Sequence, residues 1–169
     1  RQLLINYFSK NTTFVDINGV GGLGKTALSY EYIRRVTDDT RNTNDIAPYE
    51  HIIFFTSKSK EQGEHATGWH QIRNGEMTLD PRNPFRGYGV FVSEMDYISF
   101  IDKICKMDKD LKTPSEPSAI RILRENRYLV VIDNFEDVTK ENKVKYRDLL
   151  REANGGKSNI IITSRPEEM

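Results

Sequence analysis

The sequence predicts a three-layer α/β fold, with a mainly parallel sheet and helices on both faces. Three observations predict it. Apolar, β-branched segments of strand length recur at 13–18, 51–56, 128–133 and 159–163, and such runs suit strands buried on both faces. Between them lie segments with apolar residues at helical spacing, an alternation that builds parallel sheets. The turn between the first strand and the first helix is dense in glycine: Gly19-Val20-Gly21-Gly22-Leu23-Gly24-Lys25-Thr26.

The elements follow in order. Residues 2–9 suit a short helix leading into the first strand, and 13–18 read as that strand, buried. The helix after the glycine-rich turn runs to about 37, with Leu28, Tyr32, Val36, Ala27 and Ile33 on one broad face. A polar loop covers 37–45, and His51-Ile52-Ile53-Phe54-Phe55-Thr56 is an aromatic, β-branched strand. Residues 57–92 carry little helical periodicity and many glycines, prolines and polar side chains. They read as an insertion, with a hairpin turn at Asn74-Gly75. Helical spacing returns over 94–107, with Met95, Ile98, Ile101 and Cys105 on one face. Pro114-Ser115-Glu116-Pro117 interrupts the chain, and a helix over 118–126 starts near Pro117 or Ser118. The run 128–133 is apolar and ends in Asp133. The segment 140–153 is a charged amphipathic helix closed by Gly155-Gly156, and 159–163 is the last strand.

At 169 residues the chain suits one domain with a sizeable core. Lys plus Arg and Asp plus Glu number 25 each, so no global field favours nucleic acid or a membrane surface. No apolar run approaches the roughly 20 residues that span a bilayer, and the first residues are too polar for a signal peptide. Cys105, the single cysteine, rules out an internal disulfide and suits a reducing, cytoplasmic setting. It reads as a small buried apolar residue. His51, His65 and His70 lack metal-ligand spacing. The chain opens on Arg1 rather than Met, and 1–169 reads as an excerpt of a longer multidomain polypeptide.

The glycine-rich turn matches G-x-x-x-x-G-K-[ST] at every specified position. Its glycines let backbone N–H groups curl around phosphates, and the following helix adds its positive end. The binding set is Gly19, Val20, Gly21, Gly22, Leu23, Gly24, Lys25, Thr26 and Ala27. Lys25 is placed to reach β- and γ-phosphate oxygens, and Thr26 to ligate Mg²⁺. A second piece, Leu129-Val130-Val131-Ile132-Asp133, delivers a carboxylate from a buried strand, which suits Asp133 as the other magnesium-side group. The next position, where many hydrolysing enzymes carry a second acid, is Asn134, a poor base. Glu136 and Asp137 lie close behind; Glu136 is the candidate water-activating group, against a reading of both as solvated loop acids or a helix cap. A third piece, Ile160-Ile161-Ile162-Thr163-Ser164-Arg165, ends in two hydroxyls and an arginine. Arg165 is the candidate γ-phosphate contact, able to tell triphosphate from diphosphate. Lys25, Asp133, Glu136 and Arg165 therefore form the candidate catalytic group.

In this order, GVGGLGKTAL, LVVIDNFEDV and NIIITSR resemble the nucleotide-binding part of STAND ATPases, the signalling P-loop NTPases that include the NB-ARC and NACHT groups. The GxGGxGKT form is similar to NB-ARC-type loops, and Thr163-Ser164-Arg165 to that family's sensor element. The resemblance runs from the first strand through residue 165 and leaves out 57–92. It implies a P-loop NTPase fold, ATP or ADP with Mg²⁺ as cofactors, and a switch with slow hydrolysis. Family members often have two acids where this chain has Asp133-Asn134, a departure that favours holding nucleotide over cutting it. The resemblance further implies effector and sensor domains elsewhere in the polypeptide, a lid and winged helix, homo-oligomerisation on activation, and an innate-immunity or antiphage role. Guanine specificity is disfavoured: Asn142-Lys143-Val144-Lys145 lacks the aspartate of [NT]-K-x-D and falls in a predicted helix. Adenine is then the default base, with residues 1–5 as its contact. Two alternatives stay open. One is a turnover ATPase of AAA or helicase type, with Glu136 as base and an arginine from a neighbour. The other is a small-molecule or nucleotide kinase with 57–92 forming its acceptor pocket or lid. A nucleic-acid module is the weakest reading, because the basic residues are spread evenly.

Overall fold

The computed structural model describes residues 8, 13–37, 49–56, 69–73, 76–79, 90–93 and 96–166. Their elements are β1 (Phe14–Asn18), α1 (Lys25–Thr37), β2 (His51–Thr56), β3 (Trp69–Arg73), β4 (Glu76–Leu79) and β5 (Val90–Ser93). They continue with α2 (Tyr97–Cys105), α3 (Glu116–Glu125), β6 (Tyr128–Asp133), a 3₁₀ turn (Phe135–Asp137), α4 (Lys140–Ala153) and β7 (Asn159–Ser164). Five strands form one sheet in the order β1-β7-β6-β2-β5, and every pairing in it is parallel.

Alternation along the strands splits the core into two layers, one on each sheet face. Ile53, Phe55, Val130, Ile132, Ile160 and Ile162 pack against α2, α3 and α4. Ile52, Phe54, Leu129, Val131 and Ile161 face α1 through Tyr32 and Ile33, with Phe8 and Tyr49 beside them. All six residues of β6 and all six of β7 are buried, as strands covered on both faces require. The expected three-layer α/β architecture, with a parallel sheet between helices, is thus present. No helix among the described residues is long and apolar enough to cross a membrane.

Side-chain oxygens set the helix starts. Asp96 accepts from the Ser99 N–H ahead of α2, Ser115 from Ser118 ahead of α3, and Thr139 from Asn142 ahead of α4. Each such cap is worth about 1 kcal/mol. The α3 helix begins at Glu116, two residues before the expected 118, because Ser115 caps it and Pro117 fits the first turn. The Asn142–Lys145 stretch lies inside α4, as expected.

Several expectations are corrected. β1 lies at the sheet edge with alternating exposure rather than buried throughout, and Phe14 is 42% exposed. Val15 and Ile17 meet the α1 layer. The opposite face borders an open cavity of about 370 Å³ lined by Phe14, Phe135, Leu150 and Ile162. On α1, Ala27 is exposed while Ser29 is buried beside Tyr32 and Ile33. At the usual 100° per residue, the step of five positions from Ala27 to Tyr32 puts them about 140° apart, with Ala27 on the loop side. On α2 the buried stripe is Tyr97, Phe100, Ile101, Ile104 and Cys105; Ile98 is 75% exposed, one position off it. The insertion is shorter than 57–92, since Val90–Ser93 is a strand of the main sheet paired with β2. β3 and β4 do form the antiparallel pair implied by the Asn74-Gly75 turn, with Arg73 opposite Glu76. The turn residues themselves, Met95, and the helix expected over 2–9 apart from Phe8 lie outside the described residues.

Candidate functional site

The parallel sheet brings the three sequence pieces to one edge, at the carboxyl ends of β1, β6 and β7. Register does the bringing. Asn18 pairs with Ser164, so the glycine-rich loop leaves β1 beside Arg165. Ile132 pairs with Ile162, so Asp133 leaves β6 beside Thr163. The loop is tied to β7 by the Gly19 N–H, which donates to the Ser164 carbonyl at 3.2 Å.

The loop turns through two glycines with positive φ, Gly22 at 81° and Gly24 at 77°, conformations that a side chain disfavours. Val20 and Leu23 are largely exposed on its crown. Lys25 opens α1 and folds back, its Nζ donating to the carbonyls of Gly19 at 2.5 Å and Val20 at 2.9 Å. Leu28 N–H donates to the Gly24 carbonyl at 2.8 Å, starting the helical ladder directly behind the loop. A cavity of about 480 Å³ lies against Gly19, Leu23, Gly24, Ala27 and Leu28.

Asp133 is the centre of the polar cluster and is 1% exposed. Its Oδ1 accepts from the Thr26 hydroxyl at 2.7 Å and from the Thr163 hydroxyl at 2.6 Å. Its Oδ2 accepts from Asn134 Nδ2 at 2.9 Å. A carboxylate this buried needs such donors, because desolvation without them would cost several kcal/mol. Asn134 takes the left-handed conformation, φ 59°, which asparagine tolerates better than most residues. Its N–H donates to Thr163 Oγ1 at 3.1 Å. That backbone turn swings the 3₁₀ segment across the end of β7. There Glu136 meets Arg165 twice: Oε1 lies 3.1 Å from Nε, and Oε2 accepts from the Arg165 N–H at 3.2 Å. The Arg165 guanidinium lies over the loop, so a Cβ placed on Gly21 would sit 3.3 Å from its Cζ.

Of the residues singled out in the sequence, Thr26 and Asp133 are joined directly, and Arg165 reaches both Gly21 and Glu136. Lys25 faces the loop carbonyls rather than Asp133. Asp137 is exposed. Residues 1–5 lie outside the described residues. Sequence reasoning gave no role to the Thr163 hydroxyl or to the Asn134 side chain, both ligands of the Asp133 carboxylate. For Thr163 a signal existed: a hydroxyl at a buried strand end, in a chain whose neighbouring strand ends in an acid. Among the described residues no three His, Cys, Asp or Glu gather in one place. Compared with protein-family models and with curated proteins, the chain finds no match.

Proposed function

We propose that this chain is the nucleotide-binding domain of an ATP/ADP switch of the STAND class, with slow hydrolysis. One observation carries the reading: the Thr26 hydroxyl and the Asp133 carboxylate, 107 positions apart, meet at 2.7 Å beneath the glycine-rich loop. That pairing joins the hydroxyl and the acid that a magnesium-bound triphosphate needs on its metal side.

The residues fit such a ligand. Thr26 and Asp133 offer hard oxygens to magnesium, the donor type that ion takes. The loop offers backbone N–H groups around Gly22 and Gly24, at the N-terminal end of α1. Magnesium, when bound, neutralises charge on the phosphate oxygens. Lys25 would exchange the Gly19 and Val20 carbonyls for phosphate oxygens, a stronger charge-assisted pairing. Arg165 would read the γ-phosphate. The reading favours a switch over a turnover enzyme for two reasons. Asn134 follows Asp133, and the candidate water-activating carboxylate, Glu136, is engaged by Arg165. On this reading nucleotide exchange drives self-assembly and signals to effector and sensor domains elsewhere in the polypeptide.

The test is Kd for ATP and ADP, with magnesium, for the natural protein and Lys25→Ala. Loss of a charged hydrogen-bond donor should weaken binding about tenfold or more. Equal affinities would refute nucleotide binding at this loop. Steady-state hydrolysis well above roughly 1 s⁻¹, abolished in Glu136→Gln, would replace the switch with the turnover ATPase.

A further inference from the structure

The Glu136–Arg165 pair has a geometry that a freely available general base would not need. Both Glu136 oxygens are spent on one residue: Oε1 on Arg165 Nε and Oε2 on the Arg165 N–H. The carboxylate is brought there by the left-handed Asn134, whose backbone is pinned to Thr163. Glu136 is the more enclosed partner, at 18% side-chain exposure against 62% for Arg165. The fixed anchor is therefore the acid, and the arginine is the group able to move. The guanidinium it holds rests over Gly21, at the mouth of the loop.

We infer that Glu136 is a latch for Arg165, and that it sets how strongly the site prefers ATP over ADP. The inference rests on the nucleotide-switch reading and goes beyond it by giving Glu136 a positioning role. A γ-phosphate competes with Glu136 for the Arg165 guanidinium, whose Nε the carboxylate holds. ADP makes no such demand. The cost of opening the latch is thus subtracted from ATP binding alone, since a ligand shifts an equilibrium only by its differential interaction with the two states. A partly exposed ion pair is a weak latch, and a weak latch is one that a phosphate can open.

The experiment measures the ratio of ATP to ADP affinity in the full chain for the natural protein, Glu136→Gln, Arg165→Ala and the double variant. Glutamine keeps an oxygen for the Arg165 N–H but loses the charge that holds the guanidinium. Glu136→Gln should shift the ratio toward ATP by roughly two- to fivefold. On the Arg165→Ala background the same change should shift it by less than about 1.5-fold, because there is nothing left to latch. Thermal unfolding of each variant confirms that the fold is kept. Should Glu136→Gln leave the ratio unchanged in a protein that binds both nucleotides through Lys25, the latch is refuted and the switch stands. A shift that persists without Arg165 also refutes it, since direct repulsion between Glu136 and phosphate would then be the cause. Failure of the natural protein to bind either nucleotide removes both readings together.

Discussion

Replacing Thr163 by valine removes one hydroxyl and leaves the shape of the side chain nearly unchanged. That hydroxyl is 1% exposed as part of Thr163, donates to Asp133 Oδ1 at 2.6 Å and accepts from the Asn134 N–H at 3.1 Å. Valine suits a buried strand, so packing is not the source of the loss. Two electrostatic losses remain. A hydrogen bond to a charged group is worth about 1.5–3 kcal/mol, and an N–H left without a partner costs about 1–3 kcal/mol. Partial relaxation of the Asn134 turn offsets some of this, so the expected destabilisation is about 2–4 kcal/mol. For a chain of this length that lowers Tm by roughly 5–15 °C. Urea unfolding of Thr163→Val should show a lower midpoint at unchanged slope. Thr163→Ser, which keeps the hydroxyl, should lose about 1 kcal/mol for its missing methyl. A valine variant within about 0.5 kcal/mol of the natural protein would refute the view that Asp133 depends on Thr163 for its burial.

Two further outcomes follow from the packing. Gly156→Ala places a Cβ 2.5 Å from the Arg124 Cα, a backbone atom that cannot step aside, and should cost about 2–3 kcal/mol in urea unfolding. Gly155→Ala meets open space and carries only the strain of φ 81°, about 1–2 kcal/mol, so it should be the milder change. At alkaline pH, the buried Tyr32–Tyr49–Asn159 chain of hydrogen bonds, 2.8 Å at each step, should fail. Burial pushes the Tyr49 hydroxyl from 10.0 up to about 12 and raises Tyr32 as well. A raised pKa means the folded state holds its proton longer, so this stability is complete below pH 10 and lost as pH rises through 12. Tyr49 alone accounts for about 3 kcal/mol of that loss. Denaturation midpoints at pH 9 and 11.5 should differ in the natural protein and differ less in Tyr32→Phe/Tyr49→Phe, where burial still raises the Tyr97, Tyr128 and Tyr146 hydroxyls; equal midpoints in the natural protein would count against the assignment.

How much of the molecule was legible in the sequence depended on whether the signal was local. The strands β2, β6 and β7 announced themselves as apolar runs because both their faces are buried. β1 carried a similar run and yet sits at the edge, since strand propensity does not report position in a sheet. β5 has too short a signal to stand out from the insertion: Val90-Phe91-Val92-Ser93 is four residues long, and its partner β2 is more than thirty positions earlier. The buried faces of α1 and α2 leave out Ala27 and Ile98, because a few apolar residues fit more than one stripe until a neighbour selects one.

The α/β alternation, the glycine-rich loop with Lys25 and Thr26, and the acid and arginine at two strand ends are written locally in the chain. Those are properties of consecutive residues, governed by backbone freedom, side-chain period and chemistry at fixed spacing. Which of these groups touch is set by long-range packing. Parallel register set Thr26 and Thr163 around the Asp133 carboxylate, and a single left-handed residue, Asn134, turned Glu136 onto Arg165. Contacts across 107, 30 and 29 positions of chain rest on sheet order and on burial that makes each polar group find a partner. No local pattern in the chain carries that information.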